Sequence, residues 1–322
     1  MRKIIVSGLA VLALAACGTT EDPTAADETA PSSGERITVT DSRGKEVVLD
    51  GPAERVAATE WNAVEHLVSL GVMPVGVSDI KGYGQWVSSE PLDDTPTDIG
   101  TRGEPSMDTL AQLDLDLVVV TDSLVEGALE QIEKDTPVIV LTGGDSADPI
   151  GAMWENVDIL AEATGTEDRA AELRSDWDTK VADGRAAIAE AGADGSKVAF
   201  SDAYADSGSV SIRPFTSGSL IGGVLAELGF ENAWSMEGDA VYGLAQADVE
   251  GLTNLPDDVR FWYIANSAEG DPYADQLADN AIWRNLPFVK AGTVHRFPDS
   301  IWMFGGPTSM AQLIDAAVDA VS

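Results

Sequence analysis

The feature that most constrains this chain is a rhythm that runs twice. In the first half, strand-like runs at Val56-Ala-Ala58, Val75-Gly-Val77, Leu117-Val-Val-Val-Thr121 and Val138-Ile-Val-Leu141 alternate with helical segments. Those segments cover Glu60–Leu70 with Thr59 as its cap and Gly71 as its stop, Pro105 to about Leu113, and Leu124–Lys134. The second half repeats the pattern with Val198-Ala-Phe200, Val210-Ser-Ile212, Phe261-Trp-Tyr-Ile264 and Val294-His-Arg-Phe297, a helix Leu220–Leu228 closed by Gly229, and a final amphipathic helix from about Thr308 to Val321. Apolar strands alternating with helices need covering on both faces, which predicts mainly parallel sheets in an α/β fold. Between the halves, Ile150, Met153, Trp154, Val157, Leu160 and Ala161 fall at helical spacing from Pro149 to Thr164, with Gly165 as a stop. Such a helix is about 24 Å long at ~1.5 Å per residue and suits a connection between two lobes. A second long helical stretch follows over Glu167–Ala191, and a hairpin, Ile37-Thr-Val-Thr40 with Val47-Val-Leu49 around Gly44, precedes the whole. Two α/β halves joined this way place a ligand site in the cleft between them.

The N-terminal region reads as an address. Arg2 and Lys3 precede an apolar run from Ile4 to Ala16 that ends at Leu14-Ala15-Ala16-Cys17-Gly18, the three-part layout of a secretory signal. The run is shorter than the roughly 20 residues a spanning helix needs. Leu-Ala-Ala-Cys resembles the lipobox of bacterial lipoproteins, which makes Cys17 the expected lipidation site. It is also the only cysteine, so an internal disulfide framework and a thiolate metal cluster are excluded. From Gly18 to Gly34 the chain lacks large apolar residues and reads as a flexible stalk. The expected organisation is a signal peptide over 1–16, the lipidated cysteine and linker over 17–34, an N-terminal lobe over 35–147, a connecting helix over 148–165 and a C-terminal lobe over 166–322. A formal charge of −36 repels nucleic acid and anionic lipid, so neither is an expected partner.

Signatures of covalent chemistry are missing. The sequence contains no P-loop, no GxSxG and no HExxH, and its two histidines, His66 and His295, lie far apart. His66 reads as a solvated residue of the first helix and His295 as a structural residue of a strand. What stands out is a set of aromatics and arginines at the ends of βα elements, the positions that face a cleft in open α/β sheets. They are Trp61, Tyr83, Trp86 and Arg102 in the first half, and Tyr204, Arg213, Phe215, Tyr242, Trp302 and Phe304 in the second. Together they describe an apolar bowl with two guanidinium groups. It suits a bulky ligand rich in oxygen acceptors, since each charge-assisted bond from arginine contributes ~1.5–3 kcal/mol.

Several segments carry a resemblance in a consistent order: Arg55-Val-Ala-Ala-Thr-Glu-Trp61, Val64-Glu-His-Leu-Val-Ser-Leu-Gly71, Tyr83-Gly-Gln-Trp-Val87, Asp98-Ile-Gly-Thr-Arg-Gly-Glu-Pro105, Leu228-Gly-Phe-Glu-Asn-Ala-Trp234, Pro287-Phe-Val-Lys-Ala-Gly292 and Ile301-Trp-Met-Phe-Gly305. They resemble the iron-siderophore solute-binding proteins of ABC importers, the ferric-hydroxamate type above all, over the body from Arg36 onward. The resemblance implies two Rossmann-like lobes bridged by one long helix, the class III arrangement of periplasmic binding proteins. It implies that Arg102 hydrogen-bonds the iron-chelating oxygens and that Trp302 and Phe304 line the pocket, with Tyr242 where the family has a tryptophan. A family tyrosine after the strand ending at Thr121 has no counterpart, because Leu124 and its neighbours stand there; Ser123 is the substitute donor.

A ferric siderophore already fills the coordination sphere of its iron with oxygen, so neither a cofactor nor a metal site of the protein's own is expected. The expected function is capture of a ferric siderophore, hydroxamate type preferred, by a monomeric lipoprotein on the outer face of the cytoplasmic membrane. Delivery goes to a permease driven by a cytoplasmic ATPase, with docking acids implied by the resemblance at Glu65 and Glu227. A binder of cobalamin, haem or a carboxylate or catecholate siderophore, and a secreted hydrolase using His66 or His295 as base, are the alternatives.

Overall fold

The computed structural model describes residues 36–123, 126–206 and 209–322. The expected signal peptide, the expected lipidation site Cys17 and the expected stalk lie outside the described residues, as does Leu124. The described chain opens with an antiparallel hairpin, β1 (Ile37–Thr40) on β2 (Glu46–Leu49), that places buried Val39 opposite buried Val47. There follow β3 (Val56–Ala58), α1 (Trp61–Ser69), β4 (Gly76–Val77), α2 (Ile80–Trp86), β5 (Thr97–Asp98), a small antiparallel pair of β6 (Gly100–Thr101) and β7 (Glu104–Pro105), α3 (Met107–Leu110), β8 (Leu117–Thr121), α4 (Glu126–Ile132) and β9 (Val138–Leu141). Five of these strands form a parallel sheet in the order β5-β4-β3-β8-β9. Every residue of β3, β8 and β9 is buried, as parallel strands covered on both faces require.

Next, α5 (Pro149–Thr164) leads to the second half. Its bounds follow from local chemistry: the Asp148 side chain accepts the Gly151 amide, Pro149 opens the first turn, and Gly165 closes the helix at φ +67. Beyond it lie α6 (Glu167–Glu190), β10 (Lys197–Asp206), β11 (Ser209–Pro214), α7 (Leu220–Glu227), β12 (Glu231–Asn232), β13 (Arg260–Tyr263), α8 (Ala281–Asn285), α9 (Pro287–Ala291), β14 (Val294–Arg296) and α10 (Pro307–Asp319). The second sheet runs β11-β10-β13-β14, with β12 beside β10; β11 is antiparallel to its neighbour and the other pairings are parallel. Phe200 and Trp262 from this sheet pack edge or tilted on Phe297 at ring separations of 5.3 Å, within the favourable range for aromatic pairs.

Several local expectations shift. The Thr59 hydroxyl is buried and does not cap α1; Glu60 is the cap residue and makes no capping bond. The expected helix from Pro105 shortens to α3, capped by Ser106, because Pro105 pairs into β7. Conversely, α2 forms despite Gly82 and Gly84. Its cap, Asp79, accepts the Gly82 amide, and a Cβ on Gly82 would stand 2.5 Å from the Trp61 ring, so the glycine there is what lets the helix close on α1.

Candidate functional site

The carboxyl ends of both sheets point into one cleft, with a space of ≈ 590 Å³ including its open mouth. Glu60 and Asn62 enter it beyond β3, Arg102 from the β6–β7 turn, Thr121 at the end of β8 and Gly143 beyond β9. Facing them from the second half are Arg213 of β11, Tyr242 and Leu244 of one loop, and Trp302 and Phe304 of the loop between β14 and α10. This is the topological position at which open α/β sheets bind ligands.

Both arginines are held by carboxylates. The Nε and Nη2 groups of Arg102 donate to Glu60 Oε2, each at 2.8 Å. The guanidinium lies 4.3 Å over the Trp61 ring and 5.4 Å from that of Trp302, distances at which cation–π attraction operates. Arg213 grips Asp202 with both arms, Nε to Oδ1 at 2.9 Å and Nη2 to Oδ2, and lies 5.4 Å from the Phe304 ring. A guanidinium has five N–H donors, so each arginine keeps donors for a ligand. Asp202 is nearly buried; burial raises its pKa, while the bond to Arg213 opposes the rise. Trp61 and Trp302 meet edge to face at 4.9 Å, and Trp302 in turn meets Phe304 at 5.3 Å, so the aromatic floor is one connected stack. The Trp302 indole N–H is buried with no hydrogen-bond partner among the described residues.

The structure thus gathers Arg102, Arg213, Tyr242, Trp302 and Phe304 around the cleft, with Trp61 beneath Arg102. Other expected residues stand elsewhere. Tyr83 is fully buried and its hydroxyl donates to the Glu90 carbonyl at 2.6 Å, so it is a core residue of α2; burial drives its pKa upward. Phe215 is buried under Phe304 at 5.9 Å and supports the floor from below. Trp86 and the half-exposed Tyr204 border a separate hollow, where Trp86 donates its indole N–H to Glu269 at 2.7 Å. Ser123 is exposed and its hydroxyl lies 2.6 Å from that of Thr121, so Thr121 is the side chain of that strand end that reaches the cleft.

Glu65 and His66 require correction. A solvated His66 and a docking acid at Glu65 were expected, but α1 is buried nearly all round and both residues are at most 1 % exposed. Glu65 accepts the Thr308 hydroxyl at 2.8 Å, the Ser309 amide at 2.8 Å and the Ser309 hydroxyl at 2.9 Å, which ties α1 to the start of α10. An acid enclosed in this way has no face to offer a permease. Burial raises the Glu65 pKa, and it lowers that of His66 to about 4, so the imidazole is neutral at neutral pH. Glu227, on α7, is exposed, and its pKa is raised by partial burial and by the neighbouring Asp178 charge. His295 lies in β14 with its ring 5.8 Å from Phe297, as a structural histidine.

The cleft residues that sequence reasoning missed are Glu60, Asn62, Thr121, Gly143 and Leu244, together with Asp202, which stands behind Arg213 on the border of the separate hollow. Glu60 and Asn62 carried a usable signal, since they flank Trp61 at the same strand end. A second, narrow recess, with room for little more than ≈ 40 Å³ of water, continues behind Tyr242 and Phe304 to Met153 and Asn156 of α5. Among the described residues no group of three or more His, Cys, Asp or Glu side chains converges as a metal site, and no helix is long and apolar enough to cross a membrane.

A family model described as periplasmic binding protein matches residues 56–301. The chain is similar to the iron(3+)-hydroxamate-binding protein FhuD of Escherichia coli (strain K12), 25% identical over 268 residues that cover 83% of this chain and 86% of the relative. It is also similar to the probable siderophore-binding lipoprotein YfiY of Bacillus subtilis (strain 168), 23% identical with 95% of this chain and 93% of the relative covered. Among solved structures, the Fe3+–Desferal-bound siderophore binding protein FhuD from Vibrio cholerae shares its fold with a TM-score of 0.74, at 24% identity over 83% of this chain and 97% of that one.

Proposed function

The chain belongs to the periplasmic binding protein family, and from that membership we propose that it captures a ferric siderophore, hydroxamate type preferred, for an ABC importer. The observation that carries the reading is the cleft itself: two guanidiniums beside an aromatic floor, at the carboxyl edges of two sheets. Arg102 and Arg213 donate to the iron-bound oxygens, and Trp302, Phe304 and Tyr242 pack on the organic shell, while Trp61 braces Arg102 from behind. The iron arrives fully chelated as cargo, so the protein supplies hydrogen bonds and apolar surface, and it neither carries a cofactor nor performs covalent chemistry. Titration of the purified protein with ferrioxamine or ferrichrome, followed by tryptophan fluorescence, should give saturable quenching. Silence with both, alongside a response to haem, cobalamin or ferric citrate, would move the assignment.

The same reading makes the protein a monomeric lipoprotein anchored through Cys17 on the outer face of the cytoplasmic membrane, serving a permease and its ATPase. The signal and lipobox pattern supports the anchor, as does the similarity to a probable siderophore-binding lipoprotein of Bacillus subtilis. Of the two expected docking acids, exposed Glu227 is retained. Glu227→Arg should abolish uptake in cells and leave siderophore binding by the purified protein unchanged; intact uptake would remove Glu227 from the docking surface.

A further inference from the structure

Each arginine of the cleft brings its own counter-charge. Arg102 rests on Glu60 and Arg213 on Asp202, both at hydrogen-bond contact. In both pairs the carboxylate is the buried member: 13% and 12% of the acid side chains are exposed, against 37% and 35% for the guanidiniums. Solvent and salt screen such enclosed acids poorly, so the opposite charges cancel within the cleft wall. Two further carboxylates stand at the Tyr242 side of the cleft: Asp122 accepts the Gly143 amide at 3.0 Å and Asp239 accepts the Tyr242 amide at 2.7 Å. A ligand therefore meets N–H donors in a cleft that carries no net positive charge.

We propose that Glu60 and Asp202 are specificity-determining residues that restrict the cleft to ferric complexes of zero or positive net charge and reject polyanionic ones. The inference rests on the siderophore reading above and narrows its substrate class. Three hydroxamate monoanions neutralise Fe3+, whereas three catecholate dianions leave the complex with three negative charges. The neutral complex accepts hydrogen bonds from both arginines without needing a positive field. The trianion would need uncompensated guanidiniums to offset the desolvation of its charge, and it finds each one already paired. Specificity of this kind comes from a repulsive element as much as from an attractive one.

The experiment compares the full chain with its Glu60→Gln and Asp202→Asn variants, using neutral ferrioxamine E and trianionic ferric enterobactin as probes and tryptophan quenching as readout. Both substitutions are nearly isosteric and keep an acceptor oxygen for the arginine. The wild type should prefer ferrioxamine E by a hundredfold or more. Each variant should tighten ferric enterobactin about tenfold or more, since a unit charge about 8 Å from a trianion is worth at least that even at a water-like dielectric, and should change ferrioxamine E binding far less. Glu60→Asp, which keeps the charge, should retain the wild-type preference. Either amide variant decides the matter, so misfolding of one leaves the test standing. Equal wild-type affinity for the two complexes overturns the inference, as does a preference that the charge-removing variants leave untouched, which would make the discrimination steric. In both cases siderophore binding itself survives. Absence of quenching by both complexes overturns the hydroxamate reading and this inference with it.

Discussion

At the scale of single residues, the sharpest consequences concern Arg102 and His66. Arg102 is fixed from two sides, by Glu60 at 2.8 Å and by the Trp61 ring at 4.3 Å, so its donors are pre-aimed and little entropy is lost on binding. Arg102→Ala should weaken ferric-siderophore binding about ten- to hundredfold, matching ~1.5–3 kcal/mol for a charge-assisted bond; an unchanged Kd by fluorescence titration would remove Arg102 from the site. His66 titrates at about 4 because it is buried, against 6.5 for the free side chain. Between those values the unfolded chain takes up a proton that the folded chain refuses. His66 therefore contributes stability that is complete above pH 6.5 and is lost as pH falls toward 4, about 3 kcal/mol in all. Glu65 works in the opposite sense: its raised carboxyl pKa means that the folded chain takes up a proton before the unfolded chain does, which favours folding as pH falls. Urea denaturation at pH 7 and pH 5 of the wild type and His66→Gln separates the two, since the wild type should lose more stability than the variant. Of the residue-scale features, strand-end aromatics and arginines were legible in the sequence because strand ends face clefts. Asp202 was not, because its significance depends on Arg213, its cross-strand partner on β11.

At the scale of elements, α5 and α1 show what local sequence can and cannot reveal. The bounds of α5 coincide with its expected range because Asp148, Pro149 and Gly165 act within a residue or two of the ends they define. The surroundings of α1 depend on residues more than 240 positions away, at Thr308 and Ser309. His66 therefore read as solvated where the fold buries it. The chain passes this junction through Gly305 and Gly306. A Cβ on Gly306 would stand 2.7 Å from His66 Nδ1, and one on Gly305 would collide with the Glu65 carboxylate. Gly306→Ala should cost about 1–3 kcal/mol by overpacking. Glu65→Ala should cost about 3 kcal/mol, because it strips the acceptor from a backbone amide and two hydroxyls, and Glu65→Gln should cost less. Thermal denaturation orders the three, and a Glu65→Ala protein as stable as the wild type would refute the role of the α1–α10 tie.

At the scale of the whole molecule, the connecting helix is a wall of the core, with no stretch of it left to span open solvent. One continuous apolar cluster runs from Val39 of the hairpin through Val64, Trp154 and Val157 to Ile221, Phe297 and Met310. Trp154 of α5 also meets Trp177 of α6 edge to face at 6.2 Å and carries the Arg174 guanidinium at 4.2 Å. Two lobes that share a core should unfold together. Far-UV circular dichroism and tryptophan fluorescence should therefore give coincident denaturation curves, and separate midpoints would mean that the lobes are independent. The reach of Glu65 to Thr308 and Ser309 also bears on how the molecule comes into being. Until the last helix has been synthesised, α1 holds a carboxylate and an imidazole whose native enclosure does not yet exist. The first sheet can assemble early from contacts between near neighbours, but its closure must wait for nearly the whole chain, and long-range closure of this kind is slow. During that interval the unfinished face of α1 is the surface a folding helper would need to shield.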